Sequence, residues 1–272
     1  MIAPRRLDSQ LETELVDVAH TLADTARQVT LRHFRSPSLS SENKSKQDWD
    51  PVTEADRQCE LAMREILSRR RPDDGILGEE FANVESHSGL TWILDPIDGT
   101  RSFICGTPVW GVLISVSDDC APLFGIIDQP YIGERYEGGF GRAVMHGHGA
   151  KRAFATRETS RLRDAALFTT FPEVGTDAER QAFERLAGMT RITRYGLDCY
   201  SYALTAIGQI DLVVEAGLAP YDVHAPIAVV TAAGGVVTDW SGGPAHHGGQ
   251  IIAAANVRLH RLALEVLNAG NG

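Results

Sequence analysis

The hexapeptide DPIDGT at residues 95–100 follows the apolar run 92–94, which predicts a short buried strand that breaks where the hexapeptide begins. Such a strand delivers two carboxylates, three residues apart, at its C-terminal end. Gly99 lets the backbone pass close to a ligand, and hard divalent cations such as Mg²⁺ prefer oxygen ligands. Two carboxylates on one turn can bridge two cations, which lie about 3.5–4 Å apart in two-metal sites. An Asx turn in which Asp98 caps the next helix is the alternative interpretation.

Further acidic residues flank this hexapeptide along the chain. Glu79 follows a short apolar strand, and Asp222 precedes an apolar helix that closes with two glycines. Thr53 begins a helix, and its spacing to Asp56 is nearly that of a capping box. Alone, Asp222 is a helix N-cap more often than a metal ligand. Each feature is weak by itself, but the whole set in this order favours a metal site.

The hydrophobic pattern divides the chain into two parts. One helix spans about residues 11–29, with Ser9 and Glu12 in capping-box spacing, and a second runs from Thr53 to Pro72. The predicted strands are 92–94, 109–116, 123–127, a hairpin at 134–145, 167–170, 211–215, 236–238 and 251–255, and the later helices are 177–188, 198–208, 225–233 and 257–267. Helices followed by a strand meander predict an N-terminal α+β part at 1–156 that carries most of the metal ligands. Alternating strands and helices predict a C-terminal α/β part at 157–272 that completes the site.

Two histidines and four cysteines have plainer interpretations. His146 and His148 alternate with glycines in a predicted turn, so we expect them to face solvent rather than to bind a metal. The cysteines lie far apart without C-x-x-C spacing, which favours free thiols in a reducing cytoplasm.

Composition excludes several classes of function. The 272 residues include 36 acidic and 26 basic side chains, a formal net charge of −10, which argues against a general nucleic-acid binder. No apolar run approaches the roughly 20 residues needed to cross a bilayer. The N-terminus lacks the apolar region of a secretory signal. We therefore expect a cytoplasmic protein with neither a nucleic-acid nor a membrane partner.

Four segments resemble the motifs of the inositol monophosphatase family. They are DPVTEAD (50–56), GEE (78–80), DPIDGT (95–100) and YD (221–222) continuing to AGG (233–235). The DPIDGT block together with the acidic residue before AGG is highly specific. The resemblance implies Mg²⁺-dependent hydrolysis of a small phosphate monoester by a layered αβαβα sandwich, usually a homodimer.

The resemblance also implies roles for individual residues. The implied ligands of two or three Mg²⁺ ions are the side chains of Glu79, Asp95, Asp98 and Asp222 and the backbone carbonyl of Ile97. Asp95 would bridge two ions, and Thr100 with Asp56 would orient and deprotonate the attacking water. The amides of Gly99 and Thr100, at the start of the next helix, would hold phosphate oxygens.

Within the family, the chain looks like the histidinol-phosphatase branch. The similar segments are DGTRSFI (98–104), GIIDQP (125–130) followed by Glu134-Arg135, and RYGLDCY (194–200), in which Leu197 stands where the branch usually has a second glycine. Arg101 would contact substrate or phosphate. Asp198 and Glu215 would pair with the ammonium and imidazole of histidinol phosphate; the alternatives are a helix cap for Asp198 and a solvent-facing strand end for Glu215. Lys46 would help a loop close over the site, with Lys44 as the alternative.

Taken together, these features predict a Mg²⁺-dependent phosphatase that hydrolyses L-histidinol phosphate to L-histidinol and phosphate in histidine biosynthesis. An inositol-1-monophosphatase or a broad sugar-phosphate phosphatase is the alternative within the class. A non-catalytic protein that binds cations or phosphate is the alternative from another class.

Overall fold

The computed structural model describes residues 7–37, 39–44, 51–118 and 120–269. The helices are α1 (Ser9–His33), α2 (Glu54–Arg70), α3 (Thr100–Ile104), α4 (Asp177–Ala187), α5 (Tyr200–Ala206), α6 (Pro220–Ala232) and α7 (Val257–Leu267), with a 3₁₀ turn at Leu162–Asp164. The strands are β1 (Ser41–Asn43), β2 (Pro51–Thr53), β3 (Gly75–Gly78), β4 (Thr91–Asp98), β5 (Gly111–Ser117), β6 (Pro122–Gln129), β7 (Glu134–Gly139), β8 (Arg142–Gly147), β9 (Ala150–Ala153), β10 (Ala166–Thr169), β11 (Ile192–Tyr195), β12 (Leu212–Leu218), β13 (Val236–Thr238) and β14 (Gly249–Ala254).

Two large sheets organise these strands. The first has the order β3-β4-β5-β6-β7-β8-β9, in which only the β3–β4 pair is parallel. The second has the order β11-β10-β12-β14-β13, and β10 runs parallel to both of its neighbours. The first sheet ends at Ala153 and the second begins at Ala166. The predicted boundary at residue 156 falls between them, and the division into two parts stays a prediction.

Helices form three layers around these sheets. α1 and α2 pack on each other and on β5 and β4 of the first sheet. α5 and α6 lie between the sheets, where α6 contacts β6 and β7 and α5 contacts β12. α4 and α7 pack together outside the second sheet. A buried apolar cluster accompanies each helical layer, and this order confirms the predicted αβαβα sandwich.

The first two helices begin with side-chain caps. The carboxylate of Asp8 accepts the N–H of Leu11 at 2.8 Å, so the prediction of Ser9 as the cap is wrong by one residue. The reason is that Asp8 is still extended while Ser9 is already helical. Thr53 and Asp56 form the expected capping box of α2.

The strand through the DPIDGT segment is longer than predicted. β4 continues to Asp98 instead of breaking at Asp95. Its register with β5 shifts between these two residues, and such an irregularity accommodates Pro96, which has no N–H to donate. Both carboxylates are therefore carried on strand backbone. α6 also begins earlier than predicted, at Pro220, where the fixed φ of proline suits the first helical position.

Two further expectations have different outcomes in the structure. His146 lies on β8, which extends to Gly147, so the prediction that it sits in a solvent-facing turn is wrong, whereas His148 lies in the exposed turn as expected. All four cysteines are free. In the described part of the chain, no helix combines the length and the apolar character that a membrane span requires.

Candidate metal and phosphate site

Three carboxylates meet where the first sheet adjoins α6. Asp95 and Asp98 lie at the end of β4, and Asp222 is the third residue of α6. Each offers one oxygen, and these oxygens all lie within 4.8 Å of one another. Glu79 follows β3, whose last residue pairs with Leu94, and it lines the same cavity as Asp98 and Asp222. The parallel β3–β4 pairing thus brings Glu79 beside Asp95.

Burial makes negative charge on the carboxylates of this cluster costly. Burial, followed by repulsion from Glu79, raises the pKa of Asp95 well above its usual range. Burial likewise raises the pKa of Asp98 well above that range and the pKa of Asp222 to about 7. Buried carboxylates that repel each other either take up protons or bind cations. An all-oxygen donor set of this kind fits hard divalent cations, so the residues present suit Mg²⁺.

The two residues expected to activate water lie beside the cluster. The Thr100 hydroxyl is 3.1 Å from the carbonyl oxygen of Ile97 and 3.5 Å from Oδ1 of Asp56, both of which are acceptors. The other carboxylate oxygen of Asp56 accepts the backbone N–H and the hydroxyl of Thr53. Asp56 therefore caps α2 and also lies beside Thr100, and its role toward water stays a prediction. Burial raises its pKa to about 6.

Glu60, which no sequence motif marks as functional, supports the segment that carries Glu79 and Glu80. The Glu60 carboxylate on α2 is fully buried and accepts the N–H of Glu80 at 2.8 Å and Nε of Arg64 at 2.7 Å. Gly78 is required beside it, because a Cβ there would lie 2.1 Å from Glu60 Oε1. In the sequence, Glu60 is only one more acidic residue on an amphipathic helix.

Lys44 contacts the side chains of the same segment. Lys44 Nζ donates to Glu79 at 2.8 Å and to Glu80 at 2.5 Å. Lys46, for which a loop-closing role was predicted, lies outside the described residues. The sequence named Lys44 only as the alternative.

The cluster opens into a cavity of about 340 Å³. The predicted residues that line it are Glu79, Asp98, Gly99, Thr100, Arg101, Asp198, Glu215 and Asp222. Gly99 has φ +84°, and a Cβ on it would lie 2.7 Å from the Asp198 carboxyl, so the turn needs glycine for two reasons. The Arg101 guanidinium stacks on the Phe171 ring, 4.8 Å from its centroid.

Two carboxylates outside the metal cluster, Asp198 and Glu215, also line this cavity. Asp198 accepts the hydroxyl of Ser102 at 2.7 Å and does not cap α5, because Cys199 occupies the cap position without a side-chain bond. Glu215 is buried rather than solvent-facing. Its carboxylate accepts the N–H and hydroxyl of Thr170 and, at 2.6 Å, the hydroxyl of Tyr202. Burial raises the pKa of both Asp198 and Glu215.

Thr170 and Tyr202 were not identified from the sequence. They come from the loop after β10 and from α5, and no local pattern connects them with β12. They leave about one of the four lone-pair positions of the Glu215 carboxylate for a ligand.

Comparisons with known proteins agree with this geometry. Residues 11–270 match the model of the inositol monophosphatase family, and the chain belongs to that family. It is 37% identical to the bifunctional phosphatase IMPL2 of Arabidopsis thaliana, over 96% of this chain and 76% of that protein. It is 36% identical to the histidinol-phosphatase of Mycobacterium tuberculosis, over 93% and 97% of the two chains.

A solved structure shows the same fold. An inositol monophosphatase from Zymomonas mobilis superposes with a TM-score of 0.84 and is 37% identical, with 96% of this chain and all of that chain covered. The fold, the family and the acidic cluster together define a phosphatase of the inositol monophosphatase family.

Proposed function

We propose that this protein is a Mg²⁺-dependent histidinol-phosphatase. The observation that carries the proposal is the lining of the cavity, which combines residues of the acidic cluster with two further carboxylates, Asp198 and Glu215. Histidinol phosphate has a phosphate at one end and an ammonium and an imidazole at the other. The phosphate would pair with Mg²⁺ held by the acidic cluster, and the cationic groups would pair with Asp198 and Glu215. A charged hydrogen bond in such a site is worth about 1.5–3 kcal/mol.

Bound Mg²⁺ ions would lower the pKa of a coordinated water and neutralise charge on the phosphoryl oxygens. Glu79, Asp95, Asp98, Asp222 and the carbonyl of Ile97 are the proposed ligands for two or three such ions. The Thr100 hydroxyl donates its proton to Asp56 or to the carbonyl oxygen of Ile97. Because both neighbours are acceptors, the lone pairs of the Thr100 oxygen stay available to accept a proton from the attacking water. Asp56 then takes up the displaced proton. Arg101 and the amides of Gly99 and Thr100 hold the phosphate.

Phosphate release from a panel of esters tests the substrate. Histidinol phosphate, inositol 1-phosphate and a sugar phosphate are compared with Mg²⁺ and with a chelator. We expect the highest kcat/KM for histidinol phosphate and no turnover with chelator. The proposal fails if inositol 1-phosphate is cleaved far faster, which would favour an inositol monophosphatase, the activity named for the similar structure from Zymomonas mobilis.

Variants of the two carboxylates test substrate recognition. Asp198→Asn and Glu215→Gln should raise KM for histidinol phosphate more than KM for a small generic ester, because only the first ester has cationic groups. Glu173→Gln is a matched control, since Glu173 lines the same cavity but is exposed. Equal effects on both esters would remove Asp198 and Glu215 from substrate recognition.

A non-catalytic binding protein is the second candidate function. It needs the acidic cluster but not the contact between Thr100 and Asp56, so the presence of that contact favours an enzyme. Mg²⁺-dependent phosphate release would exclude a pure binder.

A homodimer in the cytoplasm completes the proposal. β11 is the edge strand of the second sheet, and it exposes Ile192 and Tyr195 beside Met189, each about half accessible to solvent. Edge strands with exposed apolar side chains pair readily with another chain. Light scattering should give a dimer for the natural chain and a monomer for Ile192→Asp; a natural chain that is monomeric at all concentrations would refute this part.

A further inference from the structure

A second group of metal-ligating side chains lies outside the cavity described above. His20 on α1, Glu137 on β7 and His146 on β8 each offer one ligand atom, and the three atoms lie within 4.8 Å of one another. None of the three lines the phosphatase cavity. The sheet register explains the contact, since β7 pairs Arg135 with His146 and so places His146 diagonally beside Glu137.

The group has hydrogen-bonding capacity that the described part of the chain does not use. Glu137 is fully buried, yet its Oε1 has no hydrogen-bond partner among the described residues, and neither has the buried Nε2 of His146. The His146 nitrogen lies 3.4 Å from Oε2 of Glu137, and Lys151 approaches Oε1 only to 4.0 Å. Unsatisfied buried polar atoms of this kind are rare, and a bound water or ion is one explanation for them.

We propose that His20, Glu137 and His146 form a second cation site, selective for a borderline metal such as Zn²⁺. Two imidazoles and one carboxylate are a typical zinc donor set, whereas the all-oxygen cluster at the phosphatase cavity suits Mg²⁺. Tetrahedral zinc with bonds near 2.0–2.1 Å separates its ligand atoms by about 3.3 Å. The distance from His146 to Glu137 already has that value, and the 2.5 Å hydrogen bond from His20 to Glu137 must lengthen.

Metal binding to His20 would change the position of its ring proton and one of its contacts. Arg135 can only donate, so its contact with Nδ1 of His20 at 3.0 Å leaves the ring proton on Nε2, which donates to Glu137. Coordination through Nε2 moves that proton to Nδ1, and the ring stays neutral. Arg135 then gives up this one contact and keeps Asp128 and Asp24. Asp24 lies four residues after His20, on the same face of α1, and would accept a hydrogen bond from the new Nδ1–H.

The site connects two layers of the fold. α1 belongs to the outer helical layer, and β7 and β8 form a hairpin of the first sheet. A metal held by both would fasten the helix to the hairpin, so its binding should raise the melting temperature independently of the phosphatase site.

Cobalt substitution tests the proposal on the full-length protein. Co²⁺ added to the chelator-treated protein should give the visible absorption bands of a tetrahedral site with imidazole ligands, and Zn²⁺ but not Mg²⁺ should remove them. His146→Ala and His20→Ala, on different elements, each remove a ligand and should weaken Co²⁺ binding at least as much as the roughly 10–100-fold that the loss of an outer-shell partner costs. Circular dichroism confirms that both variants fold.

Two further variants separate this site from others. His148→Ala is the matched control, because His148 lies two residues from His146 but is exposed and faces Glu134; the bands should persist. They should also persist in Asp95→Asn, which alters only the oxygen cluster. Bands that vanish in Asp95→Asn and survive both His146→Ala and His20→Ala would overturn the proposal, as would the absence of tetrahedral bands in the natural chain.

Discussion

Replacing Asp95 with asparagine should have opposite effects on stability and on metal binding. Asp95 is buried, with carboxylate oxygens of Asp98 and Asp222 within 4.8 Å. At an effective dielectric constant of about 20, two charges at that distance repel by about 3 kcal/mol. Because shared protons already relieve part of this repulsion, we expect the metal-free variant to gain about 1–3 kcal/mol, or roughly 3–8 °C in Tm for a chain of this size.

The substitution should leave the local backbone intact. Oδ1 of Asp95 accepts the N–H of Ile97 at 3.0 Å, and an asparagine oxygen can accept the same bond. With Mg²⁺ bound, the natural chain should regain most or all of the stability difference from the variant. Mg²⁺ at 100 times its Kd stabilises a protein by about 2.7 kcal/mol, and the variant should lose most of this gain together with turnover.

Thermal melts with and without Mg²⁺, paired with phosphate release, measure both effects. Asp177→Asn is the control, because Asp177 pairs with Arg180 on the exposed first turn of α4; it should cost less than about 1 kcal/mol and change neither the Mg²⁺-induced shift nor turnover. A variant of Asp95 that keeps the full Mg²⁺-induced shift and normal turnover would refute the reasoning, and so would a metal-free Tm several degrees below that of the natural chain.

Three other substitutions test separate parts of the structure. Thr100→Val should lower kcat by about 10²–10⁴-fold with Mg²⁺ affinity unchanged, and a parallel loss of Mg²⁺ binding in titration calorimetry would contradict its role toward water. Gly99→Ala should raise KM, because its Cβ would push against Asp198 at 2.7 Å and φ is +84°; unchanged kinetics would contradict this. Burial holds His224 neutral and lowers its pKa to about 4, from 6.5 in the unfolded chain, while its ring nitrogens contact Ser117 and the carbonyl oxygen of His246. The unfolded ring thus takes up a proton first as pH falls, and chemical denaturation should show a loss of about 2 kcal/mol between about pH 7 and 5 that His224→Gln lacks; equal losses in both proteins would be contrary to this account.

The elements with strong local signals were predictable from sequence. α1 and α2 have apolar faces at helical spacing, and the Thr53–Asp56 capping box marks the start of α2. The αβαβα order followed from the family resemblance. No buried alternating pattern marks β11, because Ile192 to Tyr195 are largely exposed. These residues form a strand only through parallel pairing with β10.

The part of the candidate site that lies within one short segment was also predictable. Asp95 and Asp98 share one short segment, so their proximity is a local property of the chain. The contact of Glu215 with Thr170 and Tyr202 depends on how β12, the β10 loop and α5 pack, which no sequence spacing encodes. The glycines around His146 predict a turn, and only the register of β7 with β8 brings this residue to Glu137.

A crystal grown with Mn²⁺ in place of Mg²⁺ tests the central claim most directly, since the anomalous signal of Mn²⁺ locates each ion. Peaks roughly 2.0–2.4 Å from carboxylate oxygens of Asp95, Asp98 and Asp222 are the predicted result. Fully occupied Mn²⁺ elsewhere, with no peak among these three carboxylates, would contradict it.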